Sequence, residues 1–273
     1  MKRQAVKVLA SILGLAMVLV ISGCSKSQTP TPNVSPTITF QTLAQYWVAD
    51  TAKGLRLYRE FARINPTPDA MTAALRQLVS ATPIDSDYVS LWPKGTKINS
   101  VIIHGSTAII DLSFPKLNVG GEGESFAIAQ LVWTATAADT TVKKISLTVD
   151  GKKVESLAGH VDTTKAFMRD LTYKVLAPIW ITSPTENQSV AAEGFTLGGM
   201  ASTFEANVAW KVIKNGVVVK AGSTTALGAA PARKPWSVAI PGLSPGTYQI
   251  LAMEYSAKDG SLVAQDSKNV VLK

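Results

Sequence analysis

The spacing of apolar residues changes near Ala177, and this change is the strongest constraint on the fold. Before it, stretches with the helical period alternate with stretches of strand period, a pattern typical of an α+β domain. After it, short strand-like runs are separated by turn residues, without a helical period over about a hundred residues. The sequence therefore predicts an α+β domain at 39–160, a linker at 161–176 and an all-β domain at 177–273.

In the first domain the predicted order is strands, helix, hairpin, helix, strand. The first helix is predicted to have Thr67 as its cap and Pro68 in its first position, and to end before Pro83. The second is predicted at 125–138 and is apolar on several sides, which indicates burial or a contact surface. The predicted strands are 43–49, Lys97–His104, Thr107–Ser113 and 143–149, with an ambiguous apolar stretch at 55–64.

The second domain is predicted to contain only strands. Asn215-Gly216 is the strongest hairpin signal in the chain, because both residues tolerate the positive φ of a tight turn. This pattern favours an immunoglobulin-type β-sandwich, although the Cys-Trp-Cys core of antibody domains is absent from the sequence. The predicted strands are 179–182, 195–198, 207–214, 217–220, 236–240, 248–255 and 268–272.

The N-terminal segment 1–23 is predicted to be a signal peptide. Its apolar run at 8–21 follows basic residues and is shorter than the roughly 20 residues that a membrane-spanning helix needs. Ile21, Ser22, Gly23 and Cys24 resemble the bacterial lipobox, and this resemblance implies cleavage before Cys24 and acylation of its sulfur. The alternative is an ordinary signal peptide with an incidental cysteine.

The residues after Cys24 are predicted to form a tether at 24–38, because prolines among serines and threonines provide too little apolar content to fold. Cys24 is the only cysteine, so the sequence has no pair for a disulfide and no further thiolate for catalysis or metal binding. Cleavage after residue 23 would remove three basic and no acidic residues and lower the net charge from +8 to +5, a mild surplus that suits an anionic membrane or cell wall. Nucleic acid is not an expected partner, since the basic residues are scattered in the sequence and export removes the opportunity.

The first domain resembles the GerMN domain of sporulation, spore-germination and other bacterial envelope proteins. The matching landmarks are AALRQL at 73–78, WPKGTK at 92–97, AIIDLS at 108–113, QLVWT at 130–134 and LTVDG at 147–151. Glu60 and Arg63 are the candidate equivalents of an acidic-basic pair in the second strand of that family. The resemblance implies a ring-building type of α+β fold that packs against copies or neighbours, and it brings no catalytic residues.

The second domain resembles the immunoglobulin-like domain that follows GerMN in spore-germination-associated proteins. The matching segments are IWITSP at 179–184, GMASTFEANV at 199–208 and SAKDG at 256–260. Together the two resemblances cover nearly all of the predicted mature chain.

The sequence predicts no catalytic, metal or cofactor site. His104 and His160 lack ligand partners at helical or hairpin spacing, so neither predicts zinc. The glycine-rich stretch at 120–124 carries two carboxylates that would repel a phosphate, and it is interpreted as a loop entering the second helix. Ser113 and Lys116 have a serine-lysine spacing without companion motifs, and the lone Asp111 and Glu205 form no acid-base pair.

Three tryptophans in the second domain raise the alternative of sugar stacking. Trp210 is in phase with Val208 and Val212, which predicts an inward ring. Trp180 and Trp236 are the candidate contacts with a cell-wall glycan, against the simpler interpretation that they pack in the core.

These observations predict a non-enzymatic envelope lipoprotein, anchored to the extracytoplasmic face of the cell membrane, or to the outer membrane of a cell with two membranes. The expected partners are membrane lipid through acylated Cys24, and further copies of the chain or other envelope proteins. The GerMN resemblance implies a role in sporulation or germination. The alternatives are a glycan-binding module and an accessory lipoprotein that regulates an envelope sensor kinase.

Overall fold

The first domain consists of a long hairpin, a four-stranded sheet, two helices that pack between them and a third, short helix. The computed structural model describes residues 39–273, and these residues belong to one compact unit. The strands are β1 (Gln41–Thr51), β2 (Gly54–Ile64), β3 (Lys97–His104), β4 (Thr107–Ser113), β5 (Lys144–Val149) and β6 (Phe167–Met168). The helices are α1 (Ala70–Ser80), α2 (Gly121–Ala138) and the short α3 (Thr172–Val175). The signal peptide and tether predictions lie outside the described residues.

The two sheets of this domain differ in pairing. Strands β1 and β2 form an antiparallel hairpin along their full length. The second sheet has the order β3-β4-β5-β6, in which β4 and β5 are parallel and the other neighbours antiparallel. Alternate residues of β4 and β5 are fully buried under the helices, as their period of two predicts.

The start of α1 differs from the prediction. Its cap is Asp69, whose carboxylate accepts from the backbone N–H of Thr72 at 2.8 Å and from its hydroxyl at 2.7 Å. The hydroxyl of Thr67 donates instead to the Asn65 side chain at 2.8 Å. A carboxylate at this position satisfies an otherwise unpaired N–H of the first turn, so Asp69 starts the helix two residues after the predicted cap.

Helix α2, by contrast, begins earlier than predicted, at Gly121, and it is buried on several sides. It packs against the β1–β2 hairpin, α1 and β5. Phe126, Leu131 and Trp133 belong to the same core as the hairpin and sheet residues. This explains why the helix is apolar nearly all round.

The predicted linker at 161–176 carries structure of its own. Phe167 in β6 pairs with Ile145 of β5, and Val175 and Leu176 are buried in the core of the first domain. Leu176 also forms a bridge with Leu57 of β2. The segment therefore adds an edge to the first domain before the chain enters the second.

The second domain is a sandwich of two sheets with a separate hydrophobic core. Its strands are β7 (Ile179–Ser183), β8 (Gln188–Val190), β9 (Gly194–Ala201), β10 (Asn207–Lys214), β11 (Val217–Thr225), β12 (Lys234–Pro241), β13 (Gly246–Tyr255) and β14 (Leu262–Leu272). One sheet has the order β11-β10-β13-β14-β8 and the other β12-β9-β7. All seven predicted strands are present, and Asn215 and Gly216 form the predicted turn with positive φ angles.

Candidate functional site

A buried cluster of charged residues joins the two domains. Asp85 and Tyr88 lie in the connection between α1 and β3, and Asp266 and Lys268 lie on β14. The ammonium of Lys268 contacts the carboxylate of Asp85, lies 3.3 Å from Asp266 Oδ1 and donates to the Tyr88 hydroxyl at 2.7 Å. All four side chains are almost completely buried, so the cluster forms a shielded polar joint, which we call the junction cluster.

Further hydrogen bonds complete the junction cluster. The Tyr88 hydroxyl donates to Asp266 Oδ1 at 2.6 Å, and the backbone N–H of Ile181 donates to Asp266 Oδ2 at 2.6 Å. The Tyr58 hydroxyl donates to the backbone carbonyl of Gln265 at 2.9 Å, and the Tyr58 ring stacks on Tyr88. Separating the two surfaces would leave these buried charges without partners, which is costly, so the cluster favours one relative position of the two domains.

The charges in the junction cluster have shifted pKa values. Burial raises the pKa of Asp266 to about 6, although Lys268 acts in the opposite direction. Burial lowers the pKa of Lys268, but the attraction of Asp266 and Asp85 outweighs it, and the net shift of this pKa is upward. The cluster thus holds two carboxylates around one ammonium, away from solvent.

Trp180 lies at another part of the same boundary, and it is not available to a sugar. Its ring is only 2% exposed, and the guanidinium of Arg233 stacks over it at 4.1 Å from the ring centre, with Arg59 at 5.5 Å. Arg233 donates to the backbone carbonyls of Ala177 and Pro178, and burial lowers its pKa to about 10. The candidate glycan contact at Trp180 is therefore corrected to a core residue covered by arginines.

The second candidate glycan contact is also a core residue. Trp236 is 3% exposed and belongs to the sandwich core, as does Trp210. An aromatic ring must present an open face to stack on a sugar, and neither Trp180 nor Trp236 does so. The glycan contact is thus wrong for both residues. Trp236 points into the core of the sandwich, whereas Trp180 points to the opposite face of β7 from Ile179 and Ile181 and packs in the core of the first domain.

Glu124 has a role that sequence reasoning missed. Its carboxylate is buried and accepts hydrogen bonds from the hydroxyl of Ser156 and from the backbone N–H groups of Leu157, Ala158, His160 and Val161, at 2.8 to 3.1 Å. Burial raises the pKa of Glu124, but these hydrogen bonds outweigh it and the net shift is downward. The stretch at 120–124 thus begins a helix and anchors the loop at 156–161.

Glu60 and Arg63, the candidate equivalents of the acidic-basic pair of the family, make separate contacts in this structure. Glu60 accepts from the backbone N–H groups of Ile84 and Asp85 at 3.0 and 2.8 Å. The guanidinium of Arg63 instead lies over the ring of Phe40. Since Glu60 and Arg63 are three residues apart on β2, they point to opposite faces of the strand.

The remaining chemical candidates do not come together. Asp111 accepts from the Thr148 hydroxyl, the Gly151 N–H and the Asn99 amide at 2.6 to 2.8 Å, which closes a turn. His104 and His160 are exposed in separate segments. Within residues 39–273, no group of histidine, cysteine or acidic side chains could hold a metal ion.

Two exposed features could serve as contact surfaces. Strand β3 lies at the edge of its sheet and exposes Ile102 by 51% and Ile103 by 46%. A groove of about 540 Å³ runs between α2 and the segment at 166–175, with Phe126, Trp133 and Phe167 among its walls. In the part of the chain that the structure describes, no helix is both long and apolar enough to cross a membrane.

Comparison with known proteins identifies both domains. Residues 44–155 match the Germane family, described as sporulation and spore germination, to which the GerMN domain belongs. Residues 178–261 match the Gmad2 family, the immunoglobulin-like domain of bacterial spore germination. The chain therefore carries a GerMN-type domain followed by a Gmad2 immunoglobulin-like domain, which confirms both the family resemblances and the fold class.

Solved structures with partial similarity to this chain have low sequence identity to it. A candidate lipoprotein from Clostridium perfringens is 22% identical, with a TM-score of 0.35, over 50% of this chain and 91% of that one. The tandem GerMN domains of the sporulation protein GerM from Bacillus subtilis are 18% identical, with a TM-score of 0.39, over 51% of this chain and 48% of that one. The first GerMN domain of that protein is 20% identical, with a TM-score of 0.39, over 46% of this chain and 94% of its own. The search of curated proteins found no match.

Proposed function

We propose that this protein is a non-enzymatic, lipid-anchored scaffold of the bacterial envelope that acts in sporulation or spore germination. Both domains belong to families of sporulation and spore germination. A scaffold must hold its contact surfaces in a fixed relation, and the junction cluster supports this because its buried hydrogen bonds link β14 to the first domain.

The observation that carries the scaffold proposal is the edge of the first sheet. In the order β3-β4-β5-β6, β3 pairs with β4 on one side and ends the sheet on the other. It exposes two adjacent isoleucines, Ile102 and Ile103. A strand edge with unpaired backbone groups and apolar side chains is a template for pairing with another chain. We therefore propose β3 as the contact between copies.

Cys24 is the proposed anchor. Its lipobox context implies a thioether-linked diacylglycerol and often an amide-linked third chain. Each buried methylene contributes about 0.8 kcal/mol, so two or more chains hold a protein at a membrane stably. The scaffold would then lie on the extracytoplasmic face.

The anchor is tested by replacing Cys24 with alanine in the full-length protein. We expect the variant to lose incorporation of labelled palmitate and to leave the membrane fraction, because the acyl chains have no other attachment site. Ser25→Ala, one residue away, is the matched control and should remain in the membrane. An unchanged membrane fraction for Cys24→Ala would show that the anchor proposal is wrong.

Assembly is tested by crosslinking the full-length protein in its own membranes. A ladder of self-adducts is expected, and Ile102→Lys combined with Ile103→Lys should remove it by placing charges on the proposed contact. Leu227→Lys changes an exposed apolar residue of the second domain and should leave the ladder intact. Capture of one different membrane protein without self-adducts would contradict the scaffold and favour a regulatory accessory protein.

A further inference from the structure

One part of the second domain contains no acidic residues over a long stretch of sequence. The stretch runs from Glu205 to Glu254, and every charged residue between these two glutamates is basic. This stretch covers β10, β11, β12 and most of β13. Its basic residues are Lys211, Lys214, Lys220, Arg233 and Lys234.

The fold gathers much of this stretch on one side of the sandwich. Strand β11 is an edge of one sheet and β12 is an edge of the other. The Thr224 hydroxyl donates to the carbonyl of Ser237 at 3.1 Å, and the Leu227 N–H donates to the carbonyl of Pro235 at 3.0 Å. Strand β11, the segment at 226–233 and β12 therefore form one continuous surface, which we call the basic side.

The basic side also exposes apolar side chains. Val217 is 64% exposed and Leu227 is 77% exposed, and Val218 and Val219 are exposed as well. Neighbouring residues of a strand point to opposite faces, yet Val217, Val218 and Val219 are all in solvent. The β10–β11 hairpin thus extends past the core with both of its faces uncovered.

The charges of the basic side differ in their availability. Lys220 and Lys234 lie on the basic side and are exposed, whereas Lys214, on the neighbouring strand β10, donates its ammonium hydrogens to the hydroxyls of Ser244 and Tyr248. Arg233 is engaged with Trp180, as described above. Lys220 and Lys234 are therefore the cations best placed to meet an external anion.

We propose that the basic side binds the surface of an anionic lipid bilayer. Exposed apolar side chains beside lysines suit this partner, because the apolar groups enter the boundary between headgroups and acyl chains while the lysines meet lipid phosphates. A soluble polyanion would match the lysines but would leave the exposed valines and Leu227 in water. The charge and the apolar exposure together thus favour a bilayer over a phosphate polymer.

The test uses residues 39–273, which contain both hydrophobic cores and the whole junction cluster. This protein lacks Cys24, so its result is independent of the proposed lipid anchor. We expect it to sediment with vesicles of phosphatidylcholine that contain about 30 mol% phosphatidylglycerol, a fraction chosen to make the vesicle surface clearly anionic. Binding should weaken with salt and be far lower on pure phosphatidylcholine.

Two double substitutions, each with a matched control pair, separate the contribution of charge from that of the apolar side chains. Lys220→Glu with Lys234→Glu should weaken binding at least about 20-fold, since each lysine near an anionic surface contributes about fivefold. Lys116→Glu with Lys153→Glu gives the same net charge on exposed positions of the first domain, and should change binding less than about threefold. Val217→Ser with Val218→Ser should weaken it roughly tenfold, whereas Ile102→Ser with Ile103→Ser on β3 should not.

Several results would overturn the proposal. Equal binding to both vesicle types, equal loss in the two lysine pairs, or no vesicle binding would each do so. Binding to immobilised inorganic polyphosphate without binding to vesicles would replace the bilayer by a phosphate polymer. An unchanged affinity after Val217→Ser with Val218→Ser would show that the apolar residues do not enter the lipid.

Discussion

At the scale of single residues, Glu124 shows how much one buried carboxylate can organise. It lies in the first turn of α2, where an acidic side chain is favoured by the helix dipole, whereas the sequence analysis placed it in the loop that enters this helix. Its hydrogen bonds to the loop at 156–161 could not be predicted, because those donors are more than thirty residues away in the chain. The carboxylate satisfies several backbone N–H groups that would otherwise be unpaired.

We expect Glu124→Gln to destabilise the protein by about 3 kcal/mol, since an amide nitrogen would face N–H donors that now meet a carboxylate oxygen. Glu122→Gln is the matched control. Glu122 is exposed and accepts one hydrogen bond, from the Leu55 N–H at 3.0 Å, so its change should cost less than about 1 kcal/mol. Urea unfolding at pH 7 measures both.

The lowered pKa of Glu124 adds a pH dependence to this prediction. A carboxylate with a depressed pKa stabilises the fold above its ordinary pKa, here 4.5, and loses that contribution as the pH falls through the folded value. The difference between wild type and Glu124→Gln should therefore shrink below about pH 4.5. A constant difference down to pH 3 would contradict the assigned role of the charge.

At the scale of elements, strands and helices with a strong period were predicted well and their ends less well. Strands β3, β4 and β10 have the predicted bounds, because their alternation is bounded by clear turns. Strand β8 was missed, since it has three residues and its partner β14 lies far away in sequence. The cap of α1 was misplaced because Thr67 and Asp69 are both acceptable caps, and only local hydrogen bonding decides between them.

The central strand β9 supplies the prediction at this scale. It pairs with β12 on one side and β7 on the other, and a Cβ added to Gly199 would lie 1.9 Å from the Trp180 carbonyl oxygen. Gly199→Ala must push backbone atoms of two strands apart, so we expect a loss of about 3 kcal/mol. Thermal and urea unfolding of the variant measure this loss.

The control is Gly121→Ala, in the first turn of α2. Its added Cβ would meet the His160 Cβ at 3.5 Å, an ordinary contact, so stability should change by less than about 1 kcal/mol. Equal stability of the Gly199 and Gly121 variants would show that β7 can move away from β9 without cost.

At the scale of the whole molecule, the junction cluster determines whether the two domains behave as one. Lys268→Met would leave Asp85 and Asp266 buried without their cation, and we expect a loss of about 3 to 5 kcal/mol. Because these contacts join the domains, calorimetry should show one unfolding transition for wild type and two for the variant. Lys258→Met removes an exposed lysine of the same domain and should change stability by less than about 0.5 kcal/mol.

The same cluster predicts a pH dependence of opposite sign to that of Glu124. Burial raises the pKa of Asp266 from 3.8 to about 6, so the native state holds this proton more tightly than the unfolded chain. The resulting stabilisation is complete below about pH 4 and is lost as the pH rises through about 6. Asp266→Asn should remove this component, although it also lowers stability because an amide N–H would face the Ile181 N–H or the Lys268 ammonium. If the free energy of unfolding depends on pH in the same way in wild type and Asp266→Asn between pH 4 and 7, this assignment to Asp266 is wrong.

Two features could be predicted from the amino-acid sequence alone: the order of an α+β domain and an all-β domain, and the fold class of each. These follow from local periodicity and turn chemistry, which each short segment carries independently of the rest. The burial of Trp180 and Trp236, the anchoring of a distant loop by Glu124 and the meeting of Asp85, Asp266 and Lys268 became visible only in the folded chain. Burial and charge pairing depend on residues brought together from distant parts of the chain, and no local pattern contains those contacts.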